Sequence, residues 1–270
     1  AASDVYKRQG DVRRMLLTQK AIAEGGRALV YLATQYADRM IQGILSNDDA
    51  EYERWDDKLG FLTPILKGCL TELGLESANL GMQVFGGHGY IREHGMEQIV
   101  RDARIATLYE GTTGIQALDL LGRKVLGSQG KLLRGFTKLV HQLCQAQAEH
   151  PQLKGQVAQL AALNAQWGEL TQQVGLAAMK NADEVGAASV DYLMFSGYAT
   201  LAYSWALQEA AARRRLRQGG SESADFYKAK IATSEFYFAR LLPRAKGHAA
   251  AMAKPTGSIM DLKSEHFAFD

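Results

Sequence analysis

The sequence predicts an all-α protein made of two successive helical units, and three observations carry that expectation. Apolar residues recur three and four apart over windows far longer than a strand. Strand-like alternation is scarce. Only 4 prolines occur among 270 residues, few enough to leave long helices unbroken.

The elements follow in order. Ala1–Gln9 (AASDVYKRQ) resembles translated sequencing-adapter sequence and is expected to be a non-native leader. From Val12 to about Leu45, Met15, Leu16, Ala23, Leu29, Val30, Ala33, Met40, Ile41 and Ile44 step at helical spacing, with Gly25-Gly26 marking a close helix crossing. Ser46-Asn47-Asp48-Asp49 reads as a loop and possible cap. Thr63-Pro64 reads as a helix start, a capping hydroxyl followed by proline at the first helical position. That helix should run through Leu66, Leu70, Leu73, Leu80 and Val84 and stop at Gly86-Gly87. A shorter helix covers about Met96 to Ile105, and another begins near Thr112 or Thr113 and reaches about Leu126.

Beyond Gly127 the character changes. Leu132, Leu133, Phe136, Leu139, Val140 and Leu143 mark an amphipathic helix broken by His150-Pro151. Leu153, Val157, Leu160, Leu163, Trp167, Leu170 and Val174 form a stripe better suited to an intramolecular bundle than to a coiled coil, since regular flanking charge pairs are missing. An apolar helix near 190–211, a Gly219-Gly220 break and a last helix near 223–253 kinked at Pro243 complete the chain. The expected organisation is a leader at 1–9, a helical bundle at 10–127 and an additional helical domain at 128–270.

Composition removes several classes of function. With 31 Lys plus Arg against 29 Asp plus Glu, the net charge of +2 argues for no nucleic-acid partner. The run Arg213-Arg214-Arg215-Leu216-Arg217 reads as a helix C-terminus, where cations complement the dipole. Cys69 and Cys144 are the only cysteines, so neither a disulfide framework nor a CxxC metal pair is present, and a reducing, cytoplasmic setting is expected. Tyr192 to Gln208 carries no charge, but it is shorter than the ~20 apolar residues of a membrane span and includes Ser196, Gly197, Thr200, Ser204 and Gln208. A buried helix is the expectation there. His88, His94, Glu93 and Glu97 lack helical HxxxH spacing, so no metal is expected.

The stretch from Gln83 to Gln116, QVFGGHGYIREHGMEQIVRDARIATLYEGTTGIQ, carries the chemistry. Its Phe85-Gly86-Gly87-His88-Gly89-Tyr90 segment could expose backbone amides to a phosphate or ribose, although a helix C-cap and turn is the plainer reading. Glu110, in Tyr109-Glu110-Gly111-Thr112-Thr113, lies at the start of a helix between apolar Ile105, Ala106, Leu108 and Ile115, Leu118, Leu120. An acid there can simply favour the helix dipole. An apolar setting also disfavours the ionised carboxylate and makes it a better proton acceptor. Composition does not separate the two readings.

The strings QVFGGHGY, RDARI and YEGTTGIQ at this spacing resemble the signature of acyl-CoA dehydrogenases. Asp11 to about Leu126 is similar to the C-terminal helical bundle of that family. The remainder, with Phe226-Tyr227-Lys228 and Tyr237 to Pro243, resembles the extra helical domain of its larger branch, which includes long- or broad-chain enzymes and 3-methylmercaptopropionyl-CoA dehydrogenases. The resemblance implies that Glu110 is the base removing the substrate Cα proton while a hydride passes from Cβ to FAD. It implies that the Glu110 backbone N–H helps hold the thioester carbonyl and that Gly111 leaves room for the acyl thioester. Gln83, Val84, Phe85, Gly86 and Gly87 would contact the FAD of a neighbouring subunit, and Thr112 the flavin. Gly114 stands where the best-studied branch has glutamine, so no side-chain contact is implied there. Arg101 and Asp102 match an element read as a structural ion pair. An acyl-CoA substrate, an electron-transferring flavoprotein and a homo-oligomer (dimer or tetramer) complete the implied picture. The chain then holds one part of a site, and by itself is expected to be inactive. An oxidase-type relative and a non-catalytic helical oligomerisation module are the competing readings.

Overall fold

The computed structural model describes residues 8–268. Residues 1–7, most of the leader segment, lie outside the described residues. Every regular element among the described residues is helical. Helix α1 (Gly10–Leu45) and helix α2 (Asp49–Phe85) form a long antiparallel pair. The turn between them is closed by Asp48, whose carboxylate accepts a hydrogen bond from the Glu51 N–H at 3.0 Å. At the crossing with a later helix, a Cβ on Gly25 would stand 2.6 Å from Trp205 Nε1. The Gly25-Gly26 reading therefore describes a true close approach.

The Thr63-Pro64 reading is corrected. Pro64 is buried inside α2, which runs without interruption from Asp49 to Phe85. Thr63 Oγ1 donates back to the Leu59 carbonyl at 2.8 Å instead of capping amides. An interior proline costs ~3 kcal/mol through a lost hydrogen bond and ring crowding. Phe61, Leu62 and Ile65 around it are essentially inaccessible. Burying three such side chains contributes ~1.5–3 kcal/mol each, which outweighs that cost.

Two short turns (Gly87–Tyr90 and Arg92–His94) lead into α3 (Met96–Ile105). Helix α4 (Thr113–Leu118) continues as a π-helical segment over Asp119–Leu126, closed by Gly127 N–H donating to the Gly122 carbonyl at 2.8 Å. Then come α5 (Lys131–Gln147), α6 (Lys154–Ala178), α7 (Asp183–Gln218) and α8 (Ala224–Phe236). A π turn (Tyr237–Leu241) and a 3-10 turn (Leu242–Arg244) around Pro243 join α8 to α9 (Ala245–Met252).

Helix α7 sits at the centre. Its Ser204 and Trp205 side chains donate to the Gly25 and Ala21 carbonyls of α1, both at 3.1 Å. All seven stripe residues of α6, from Leu153 to Val174, are buried, and Trp167 packs against Phe61, Phe136 and Phe195. One apolar core thus runs through elements from both halves of the sequence. The dipole reading of the arginine run holds for position but not for Arg213. That side chain is buried, and it donates to Glu209, Glu235 and Gln152. No helix among the described residues is long and apolar enough to cross a membrane.

Candidate active site

Helix α2 ends at Gly86, with φ 61° and ψ −146°, a conformation open to glycine and costly for other residues. The Gly86 N–H donates to the Gln83 carbonyl at 3.0 Å, and Gly89 N–H returns to the Gly86 carbonyl at 2.9 Å. Gln83, Phe85, Gly86 and Gly87 are exposed and Val84 is half-buried. A Cβ on Gly87 would meet nothing within 4 Å. The packing of the described residues therefore gives no reason for glycine at 87, as at several other exposed glycines of the chain. His88 and His94 stand 5.4 Å apart as rings. Among the described residues no group of three or more His, Cys, Asp or Glu is placed to hold a metal.

The connection from α3 to α4 contains Glu110. Its φ of 56° is left-handed, as is that of Gly111 at 87°. A non-glycine residue held there costs on the order of 1–3 kcal/mol and persists only where its surroundings over-determine it. Those surroundings come mostly from α2. Lys67 Nζ donates to the Ala106 carbonyl at 3.0 Å and to the Gly111 carbonyl at 2.6 Å. Thr113 Oγ1 donates to Glu72 Oε1 at 2.5 Å, and Gln116 Nε2 donates to the Glu110 carbonyl at 3.2 Å. Thr112 caps α4, its Oγ1 accepting from Ile115 N–H at 3.4 Å. A Cβ on Gly111 would stand 2.8 Å from Gln116 Nε2, the end of a flexible side chain that could move aside, so the reason for glycine after Glu110 is its φ of 87°.

Glu110 is exposed, as are Ile105, Leu108, Tyr109, Ile115 and Leu118 around it. The expected apolar setting is present but open: the apolar neighbours form an exposed rim, and no element among the described residues closes over them. The Glu110 N–H has no hydrogen-bond partner among the described residues. A correction concerns Arg101 and Asp102. Both are exposed, and Asp102 accepts from Gln98 Nε2 at 2.6 Å rather than pairing with Arg101.

The two groups of candidate residues lie apart. Lys67, which holds the Glu110 turn, precedes Gly86 on one continuous helix by 19 residues, about 28 Å at 1.5 Å per residue. A separate cavity of about 440 Å³ between α1, α2 and α5, lined by Tyr36, Phe61 and Phe136, includes none of the candidate residues. Sequence reasoning missed Lys67, Glu72 and Gln116. Lys67 and Glu72 carry no local motif, and only their i, i+5 placement under the turn reveals their part.

Comparison with known proteins adds the following. A family profile described as "Acyl-CoA dehydrogenase, C-terminal domain" matches residues 7–126, and one described as "Acetyl-CoA dehydrogenase C-terminal like" matches residues 136–263. The 3-methylmercaptopropionyl-CoA dehydrogenase of Ruegeria pomeroyi is 38% identical over 238 residues, which cover 86% of this chain and 39% of that protein. The broad-specificity linear acyl-CoA dehydrogenase FadE5 of Mycobacterium tuberculosis is 31% identical over 264 residues, 95% of this chain and 43% of that protein. The chain thus spans about two fifths of the length of the curated relatives it matches. Among solved structures, an acyl-CoA dehydrogenase complexed with FAD from Bacillus anthracis superposes with a TM-score of 0.70 at 19% identity over 91% of this chain and 42% of that one. ACDH-11 of Caenorhabditis elegans in complex with C11-CoA gives 0.64 at 21% identity over 91% of this chain and 39% of its own. These two likenesses establish the fold alone.

Proposed function

The chain belongs to the acyl-CoA dehydrogenase family, and from that premise we propose that it is the C-terminal part of an FAD-dependent enzyme that introduces an α,β double bond into an acyl-CoA thioester. Glu110 is the base. The observation that carries this reading is the turn itself: a carboxylate held at positive φ, with its own N–H unpartnered, in the middle of an exposed apolar rim.

Each part of that turn has a task. The Glu110 carboxylate takes the proton from Cα. The Glu110 N–H donates to the thioester carbonyl oxygen, which acidifies that proton by stabilising the enolate-like charge. Gly111 keeps space beside the thioester. FAD, when bound, would supply the acceptor for the hydride leaving Cβ. Gln83, Val84, Phe85, Gly86 and Gly87 are read as an adenosine-end contact, since they are largely exposed, Gly87 has open space where a Cβ would stand and Gly86 a φ that a side chain would strain. Thr112 is exposed beside the base and serves the flavin. The ~28 Å along α2 between the two groups supports their serving different copies of the cofactor, hence a homo-oligomer, dimer or tetramer. The division at Gly127 into a family bundle and an added helical domain, a cytoplasmic setting and an electron-transferring flavoprotein as acceptor belong to the same proposal. Nothing favours an oxidase over a dehydrogenase within this chain. The held turn speaks against a purely oligomerising module, which needs no strained acid.

The test is flavin bleaching on anaerobic mixing of the full-length enzyme with acyl-CoA. Glu110→Gln should retain FAD and substrate binding and slow bleaching at least ~100-fold, the low end of a general-base contribution. Bleaching at the unaltered rate would place the base elsewhere.

A further inference from the structure

We propose that Lys67 is a positioning residue for the reaction, aiming the Glu110 carboxylate by tying together the two ends of the turn that carries it. This rests on the reading of Glu110 as the base.

The geometry is specific. One ammonium donates to the Ala106 carbonyl, where α3 has just ended, and to the Gly111 carbonyl, immediately after Glu110. The same Nζ stands 6.0 Å from the ring centroid of Tyr109, the residue before Glu110. A single cation therefore bonds the turn before and after the base and faces the ring of the residue beside it. Hydrogen bonds from a charged donor are shorter and stronger than neutral ones, and here two of them converge on one atom. The loop they close is short, and its φ angles at 110 and 111 are both left-handed. Without the clamp, a chain of ordinary residues relaxes to negative φ, which swings the side chain of residue 110 to another direction.

The remaining contacts show why the clamp must sit on α2. Glu72, five residues further along, takes the Thr113 hydroxyl and so fixes the first residue of α4. Gly68, next to Lys67, admits the next element closely: a Cβ there would stand 3.2 Å from Gln116 Cβ and 2.5 Å from Leu193 Cδ2. Gln116 in turn donates to the Glu110 carbonyl. The turn is thus seated on α2 through Lys67, Gly68 and Glu72. Lys67 is the member whose bonds span the base. Its ammonium is not required to touch substrate, so its effect belongs to the placement of Glu110 and not to the proton transfer itself.

The experiment uses the full-length holoenzyme with Lys67→Met, Lys67→Arg and, in parallel, Glu110→Gln. For Lys67→Met, flavin bleaching at saturating acyl-CoA should slow ~10–100-fold, the penalty of roughly an ångström of misplacement, while FAD content and KM stay within about twofold. Amide hydrogen exchange should quicken in the peptide covering residues 106–116 and stay unchanged over the helices of the core. Lys67→Arg, which keeps the charge and two donors, should recover a substantial part of the rate. A Lys67→Met enzyme that bleaches within about threefold of the unaltered rate, or whose 106–116 exchange is unchanged, overturns the proposal. Should Lys67→Met fail to hold FAD, Lys67→Leu, which also has no donor but a different shape, is judged by the same criteria. The two readings separate cleanly. Full-rate bleaching in Glu110→Gln removes the base assignment whatever Lys67 does, whereas a Glu110→Gln enzyme that fails to bleach beside an unimpaired Lys67→Met removes only the clamp.

Discussion

At the scale of the residue, Glu110 was legible from its motif, but its conformation was not. Nothing in Tyr109-Glu110-Gly111 announces a left-handed glutamate, because Lys67, whose hydrogen bonds bracket it, lies on another helix. Its exposure was equally illegible: the apolar neighbours in sequence suggested an apolar setting, and the structure shows them as an exposed rim. Substitution separates the carboxylate's placement from its chemistry. Glu110→Asp keeps the base and shortens its reach by one methylene, so its bleaching rate should fall between those of the unaltered enzyme and Glu110→Gln. Glu93 and Glu97, which touch neither Lys67 nor the turn, should tolerate amide substitution with little loss. Cys69 gives a residue-scale prediction of another kind. It is fully buried, and burial pushes its thiol up to about 12. The thiolate is the reactive species. Cys69 should therefore resist alkylation in the native protein and react once denaturant is added, as mass spectrometry of the modified peptide would show.

At the scale of the element, helices whose apolar positions repeat without interruption were read closely. Met96–Ile105 has the expected bounds, and the α6 stripe is buried at every named position. The failures share one cause, tertiary packing overriding a local signal. Thr63-Pro64 has the form of a helix start, yet apolar residues on both sides are needed in the core, so α2 continues through it. Arg213 has the form of a terminal cation, yet Glu209, Gln152 and Glu235 meet it from other parts of the fold. The crossing of α7 over α2 offers a test of such packing. A Cβ on Gly197 would lie 2.0 Å from Cys69 Sγ and 2.7 Å from Cys69 Cβ. Gly197→Ala should thus force the helices apart and cost ~1–3 kcal/mol in urea unfolding, as overpacking does. Cys69→Ala removes the nearer of the two atoms. In a double-mutant cycle it should recover part of that cost and leave the rest, because the Cβ overlap remains. Additive effects would mean that the two helices do not meet through these residues.

At the scale of the whole molecule, the core that joins both halves through α7 predicts how the chain responds to alkali. Burial holds Tyr36 up to about 12 and Cys69 likewise, and raises Tyr192, Tyr198, Tyr203 and Tyr237 above the ordinary phenol value. A raised folded value means that the folded state keeps protons the unfolded chain has released. The corresponding stability is complete below the unfolded values of 9.0 for thiol and 10.0 for phenol and is lost as pH rises through the folded ones. The melting temperature should therefore hold up to about pH 9 and fall progressively above it.

The outer surface leads to a prediction that the core does not. Of the residues proposed for FAD, Gln83 to Gly87 lie at the end of α2, whereas Thr112 and the proposed base are held by a part of α2 some 28 Å back along it, and the rim around Glu110 is open. One copy of this chain therefore offers the cofactor an edge contact at each place and a closed pocket at neither. Among the described residues, the buried area and converging polar groups that small-molecule sites require are missing at both. The isolated chain should lose FAD on dialysis, while the full-length enzyme keeps it and sediments as a dimer or larger. Flavin absorbance measured on both after the same dialysis decides the matter. An isolated chain that stays yellow at one flavin per molecule would mean that the main cofactor contacts lie within these helices, and a full-length monomer that keeps FAD would remove the assignment of Gln83 to Gly87 to a neighbouring copy.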